Sequence, residues 1–254
     1  MKDIRMVVTD LDSTLLRRDK TISDFTQRTI AELRRRGVIF AVATARPRRS
    51  VQIPLPWLSF DAGVFHNGAL AYAGDTLLAR EGVSEPLLLI RSILAGLPET
   101  HICIEVNDTI YSNFDTRGLW PNEVYTLTQD FAEIAGMTAD KLIIECTSLK
   151  QMQQYEKFLS PELYMLLSEH VIAMIMNRRA TKVNGIRHLA EHYGIPMESI
   201  VAFGDDYNDI DMLRSCGTGV AVANALPEVR AAADFITLSN EEDGEARWIA
   251  ENLL

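Results

Sequence analysis

Two aspartates one residue apart, Asp10 and Asp12, close the apolar, β-branched run in "MVVTDLDSTLL" (residues 6–16). Carboxylates repel each other and lose hydration when buried, so such a pair at the end of a buried strand needs a partner that offsets the cost. Further along, "ATAR" (43–46) puts the Thr44 hydroxyl after a second apolar run. "GDDYND" (204–209) then puts Asp205, Asp206, Asn208 and Asp209 after another, and Lys182 opens an amphipathic stretch leading into this part. Four carboxylates brought to one edge would raise one another's pKa unless a cation neutralised them. A hard divalent ion with oxygen ligands does so, and Mg²⁺ suits a site of few carboxylates completed by waters and a phosphate. Such an ion keeps Asp10 and Asp205 ionised and lets an anionic substrate approach.

Taken singly, each feature has a plainer reading. A D-x-D after a strand also serves as a turn with a helix cap, Thr44 as a loop hydroxyl, and Lys182 as a solvated lysine. The acidic loop lacks the twelve-residue oxygen spacing of an EF-hand. What favours chemistry is their common place, because ligands of parallel α/β sheets bind at the carboxyl ends of the strands.

The elements that must hold these residues follow from periodicity. Residues 4–9 and 38–46 read as buried strands, 61–70 contains a shorter third one, and 23–36 reads as a helix with a Ser or Asp cap, apolar Phe25, Ile30 and Leu33, and Gly37 at its end. The pattern returns after residue 178, with helices over 182–194 and 207–216 and strands over 199–206, 217–224 and 234–238. Strand and helix in alternation imply a parallel sheet with helices on its faces. Residues 83–178 differ: "HICIEVND", "TIYSN", "KLIIECT" and "HVIAMIMN" alternate like a half-exposed antiparallel sheet, with helices over 84–97 and 148–160. The reading is a Rossmann-like α/β core, residues 1–82 and 179–254, interrupted by an inserted α/β domain, 83–178.

Composition narrows the function classes. The chain has 254 residues, 47% hydrophobic and 24% charged, as in an ordinary globular protein. Its net charge of −10 argues against a nucleic-acid backbone or an anionic membrane surface as partner. Cys103, Cys146 and Cys216 are scattered without metal-ligand spacing, which suits reduced thiols. No signal-like start and no apolar run near the roughly 20 residues of a membrane span is present, so the expectation is a soluble, cytoplasmic protein.

The motif set resembles that of the haloacid dehalogenase-like (HAD) phosphohydrolases. In that family D-x-D-x-T follows the first strand, Thr or Ser the second, a Lys comes later and G-D-x-x-N-D follows the last core strand. Here the counterparts are "DLDST" (10–14), "ATAR" (43–46), Lys182 and "GDDYND". "HNGA" (66–69), "VAVANALPEVRAAADFIT" (220–237), "SNEEDGEA" (239–246) and the spacing of Lys182 to "LAEHYGI" (189–195) are similar to the Cof-type subfamily, whose α/β cap occupies the place of the insert. That subfamily usually has Gly after its lysine, where this chain has Val183, a departure that bears on the start of the helix.

The resemblance implies roles. Asp10 is the nucleophile that forms an aspartyl-phosphate, and Asp12 the general acid and then base. Mg²⁺ is held by the Asp10 carboxylate, the Asp12 backbone carbonyl and Asp205. Thr44, Lys182 and Asn208 bind the phosphoryl oxygens, and Asp209 orients Lys182 or a metal-bound water. Arg46 and Asn67 are candidates for substrate contact. The expected activity is hydrolysis of a small phosphorylated metabolite, a sugar phosphate foremost. A sugar phosphomutase and a non-catalytic metabolite-binding module are the competing readings, and the intact aspartate pair speaks against the latter. Oligomeric state has no signal in the chain.

Overall fold

The computed structural model describes residues 3–52, 55–168 and 170–254; Met1, Lys2, Ile53, Pro54 and Glu169 lie outside it, and with them part of the N-terminal reading. In chain order, β1 (Met6–Thr9), α1 (Asp24–Arg35), β2 (Ile39–Ala43), α2 (Arg49–Gln52), β3 (Ala62–Phe65), β4 (Leu70–Ala73) and β5 (Thr76–Arg80) come first. Next come α3 (Pro86–Gly96), β6 (Ile102–Val106), β7 (Thr109–Ser112), β8 (Tyr125–Leu127), β9 (Lys141–Glu145), α4 (Leu149–Met152), β10 (Leu163–Ser168) and β11 (Ile172–Asn177). The chain ends with α5 (Lys182–Tyr193), β12 (Ile200–Gly204), α6 (Ile210–Ser215), β13 (Thr218–Ala221), α7 (Pro227–Ala232), β14 (Phe235–Ile236) and α8 (Gly244–Asn252). Two compact units result, one running to Ala79 and resuming at Thr181–Leu254, the other Arg80–Ala180. Among the described residues no helix is long and apolar enough to cross a membrane.

The first unit carries an eight-stranded sheet in the order β14-β13-β12-β1-β2-β3-β4-β5. From β14 to β3 neighbouring strands are parallel, and β1 lies between β12 and β2. Parallel strands covered on both faces read as continuous apolar runs, and every residue of β1 and β12 is buried. Alternation along β1 divides two cores. Met6 and Val8 join Ile186 and Leu189 of α5 and Met212 of α6, whereas Val7 joins Ile30 and Leu33 of α1 and Ile249 of α8.

The shorter third strand expected within 61–70 is β3, and a turn follows it. His66, Asn67 and Gly68 all take positive φ (50°, 55° and 109°), and this turn reverses the chain so that β4 pairs antiparallel with β3. The helix expected at 182 begins there, capped by the Thr181 hydroxyl, which accepts from the Asn184 amide. Val183, in the place of the subfamily glycine, is buried in the core and leaves that start intact.

The second unit holds a six-stranded sheet, β10-β11-β9-β6-β7-β8, antiparallel except for the parallel β7–β8 pair. Two strands escaped the sequence reading. β10, "LYMLLS", is built from good helix formers without alternation, and β8 is three residues long. The helix expected over 148–160 shrinks to α4 and a separate 3₁₀ turn, Glu156–Phe158. No residue of α4 is buried, so no packing sustains a longer helix.

Gly68 ties the turn to the start of α5. At its φ of +109° a Cβ would lie 2.1 Å from the Thr181 carbonyl oxygen. At Gly74, φ +54°, a Cβ would meet nothing within 4 Å. Gly68→Ala is therefore expected to cost more than Gly74→Ala, which carries only backbone strain of about 1–3 kcal/mol. Urea unfolding checks the order, and amide exchange at Asn184 should quicken in Gly68→Ala alone.

Candidate active site

The three strand ends meet as loops at one edge of the large sheet. Asp10 follows β1 directly, its amide donating to the Phe203 carbonyl (3.0 Å), and its side chain is buried. The tight turn after it returns Leu16 to Leu11 (2.8 Å) and sets Ser13 at φ 63°. Thr44 follows β2, with its amide on Val64 and its hydroxyl accepting from the Arg46 amide (3.1 Å). Asp205 follows β12 and accepts from the Thr14 hydroxyl (2.6 Å).

Lys182 enters from the first turn of α5, where it is 2% exposed. Its Nζ donates to Asp10 Oδ1 (2.6 Å) and to Asp209 Oδ1 (2.7 Å). Asp209 is buried, and its Oδ2 accepts from the amides of Asp205 (2.9 Å) and Asp206 (3.1 Å). Both its oxygens are thus engaged in fixing the loop and the lysine. This approach requires Gly204, since a Cβ there would fall 2.5 Å from that of Asp209.

Charge sorts the two aspartates of the pair oppositely. Burial pushes Asp10 up to about 8; Lys182 draws it down, while Asp209 and Asp205 add to the rise. Burial also opposes a charge on Lys182, but Asp10 and Asp209 outweigh it and lift the ammonium above the usual lysine range. For Asp12 burial is overcome by hydrogen bonds from Arg46 and Lys20, which hold it below the usual carboxylate range. Arg46 grips Asp12 through Nε (2.7 Å) and Nη2 (2.6 Å), and Lys20 Nζ adds a third contact (2.7 Å).

The donor set fits a hard cation. Carboxylate oxygens of Asp10, Asp205 and Asp209 lie within 4.8 Å of one another. Ionised, they carry three negative charges against the one positive charge of Lys182, an excess of two that a divalent ion balances. Burial, reinforced by Asp209 and Asp206, likewise pushes Asp205 up to about 6, although the Thr14 hydroxyl draws it down.

The remaining expected residues fall into two groups. Asn208 donates to the Asn67 side-chain oxygen (2.9 Å), and the Asn67 amide donates to the Thr44 carbonyl (3.0 Å), so these three form one linked rim. The Arg46 guanidinium faces Asp12 and the Ser50 carbonyl (3.2 Å). Sequence reasoning gave no role to Thr14, Lys20 or Glu245. Thr14 had a signal, as the last position of D-x-D-x-T. Glu245 lies in the family-like stretch "SNEEDGEA", which gave it no role of its own, and Lys20 had no signal, because only the folded chain brings them to Thr9, the neighbour of Asp10, and to Asp12.

Removing the cation from the centre of this site tests the charge arrangement. Lys182→Met leaves Asp10 and Asp209 facing each other uncompensated and should cost about 3–5 kcal/mol of stability at neutral pH. Adding Asp209→Asn to Lys182→Met should recover part of that loss in urea titrations, since one repelling charge goes. If the double variant is instead less stable by the sum of its parts, the coupling is absent.

Comparisons with known proteins agree with the geometry. The family model for haloacid dehalogenase-like hydrolases matches residues 7–249. The 5-amino-6-(5-phospho-D-ribitylamino)uracil phosphatase YitU of Bacillus subtilis is 29% identical, over 97% of this chain and 96% of its own length. The pyridoxal phosphate phosphatase YbhA of Escherichia coli is 28% identical, over 98% and 99%. The crystal structure of TM0651 from Thermotoga maritima superposes with a TM-score of 0.87 at 25% identity, covering 99% of this chain and 98% of that one. The chain belongs to the haloacid dehalogenase-like hydrolases.

Proposed function

We propose that this chain is a Mg²⁺-dependent phosphatase of a small phosphorylated metabolite, with sugar phosphates the foremost class, acting through an aspartyl-phosphate on Asp10. The observation that carries the reading is the buried Lys182 bridging Asp10 and Asp209 beside Asp205. Two relatives whose names state their substrates, YitU and YbhA, act on small phosphorylated metabolites, which supports that class.

Asp10, Asp205 and the Asp12 backbone carbonyl would hold the Mg²⁺. When bound, the ion supplies the charge that keeps these carboxylates ionised and offsets that of the phosphoryl group. Lys182 fixes Asp10 through Oδ1, leaving Oδ2 to attack phosphorus as the bond to the leaving oxygen breaks. Asp12 protonates that oxygen, then takes a proton from the water that hydrolyses the aspartyl-phosphate. Arg46 and Lys20 favour its ionised, base form, and they must loosen for it to act as the acid. Thr44, Lys182 and Asn208 donate to the transferring oxygens, and Asp209 orients Lys182.

Chelation should abolish phosphate release from a panel of phosphorylated metabolites, and Mg²⁺ should restore it. Full turnover after rigorous chelation would exclude the metal role. Isomerised sugar phosphate in place of free phosphate would make the enzyme a mutase.

The two aspartates separate by leaving group. Asp10→Asn should form no phosphoryl-enzyme with any ester. Asp12→Asn should slow the first step roughly 10²–10⁴-fold for a sugar phosphate, whose alkoxide needs a proton, and far less for a nitrophenyl ester. With that ester the aspartyl-phosphate should accumulate and be detected by mass spectrometry after an acid quench. Equal loss with both esters and no adduct would remove Asp12 from acid–base chemistry.

A further inference from the structure

Glu245 is a buried acid that this reaction leaves without a task. It sits in the first turn of α8 and is 2% exposed. Because side chains alternate along a strand, Thr9 shares with Val7 the face of β1 that α1 and α8 cover. There the Thr9 Oγ1 lies 2.6 Å from Glu245 Oε2 and 2.6 Å from the backbone carbonyl oxygen of Asp10.

The hydrogens in this chain of three oxygens can be counted. Each contact is a hydrogen-bond distance and needs a hydrogen between its oxygens. A hydroxyl has one to give, and a carbonyl has none. If Thr9 donates to Asp10, the hydrogen in the other contact belongs to Glu245. If Thr9 instead donates to Glu245, the carbonyl can at best share that one hydrogen in a weaker three-centre bond. Two full hydrogen bonds at 2.6 Å form when Glu245 is a neutral acid: Glu245 Oε2–H donates to Thr9 Oγ1, and Thr9 Oγ1–H donates to the Asp10 carbonyl.

Two further observations agree. The other oxygen, Glu245 Oε1, is buried and has no hydrogen-bond partner among the described residues, a poor setting for a carboxylate. Burial, with the Asp10 charge adding, pushes Glu245 up to about 8 although Thr9 lowers it. The α8 N-terminus favours an anion, but only modestly against complete desolvation.

We propose that Glu245, as a neutral carboxylic acid, is a positioning residue for Asp10: through Thr9 it fixes the peptide plane from which Asp10 projects, and it adds no negative charge beside it. The inference rests on Asp10 being the nucleophile. A carboxylate that must meet phosphorus in line gains from a fixed backbone, since a displacement of about 1 Å can slow a reaction on the order of 10²-fold.

The test uses the full-length enzyme with Mg²⁺ and nitrophenyl phosphate. Infrared difference spectra between wild type and Glu245→Gln at neutral pH should show the carbonyl band of a protonated carboxylic acid in the wild type. Its absence would overturn the proposal. In rapid-quench kinetics Glu245→Leu should form phosphoryl-enzyme roughly 10- to 10²-fold more slowly, with KM little changed. Glu245→Gln, whose amide still donates to Thr9, should recover most of that rate. A wild-type rate in Glu245→Leu, or a rate in Glu245→Gln as low as in Glu245→Leu, would equally overturn it. Should Glu245→Leu not fold, Thr9→Val removes the relay from the other side and should show the same slowing; an unchanged rate there defeats the proposal. Phosphoryl-enzyme trapped in Asp10→Asn would defeat the nucleophile assignment instead, and the infrared result would stand apart from it.

Discussion

One ammonium group between two buried carboxylates holds the site together. Lys182 Nζ, itself 2% exposed, meets the buried Asp10 and Asp209 at 2.6 and 2.7 Å. A buried charge is tolerated only when paired and hydrogen-bonded, so each member of this group dictates the position of the others. Asp209 must reach back to the amides of Asp205 and Asp206, which needs Gly204 to have no side chain. Lys182 must start its helix at one place, which Thr181 caps and Gly68 crowds. The strand order does the rest, because β1 lies beside β12 and delivers Asp10 next to Asp205.

Within this frame the two aspartates of one short motif live in opposite electrostatic settings. Asp10 lies among acids and burial raises its pKa, while Asp12, two residues on, is drawn down by Arg46 and Lys20. A separation of this kind is how one site divides tasks between like groups. The acidic side is short of positive charge by two units, which suits a divalent cation and an arriving phosphate. The Asp12 side carries its own cations. The buried Glu245 belongs to the same economy of charge: so close to Asp10, a neutral acid can hold the backbone through Thr9 without deepening the negative excess.

The alternation of strands and helices that builds the large sheet was readable because buried parallel strands are apolar throughout and their helices carry clear caps and periodicity. β10 and the helix expected at 148–160 were not: packing overrode propensity in the strand, and α4, with no buried residue, had no packing to extend it. The turn at His66–Gly68 was readable only in part. Asn67 before Gly68 is a turn signal, but the positive φ of His66 is a property of the folded backbone that its residue type does not announce.

The chain by itself determined which groups are candidates for chemistry. The aspartates, the threonine and the lysine stand at strand and helix ends, where spacing along the sequence carries directly into position on the sheet edge. Tertiary structure alone decided their protonation and their partners. Lys182 comes from a distance of 172 residues to reach Asp10, Thr14 crosses 191 to Asp205, and Glu245 crosses 236 to Thr9. The pKa of a carboxyl depends on burial and on charges a few ångströms away, and neither is a function of sequence separation. The stretch "SNEEDGEA" is family-like in sequence, but the burial of its Glu245 appears only when β1 and α8 close over it.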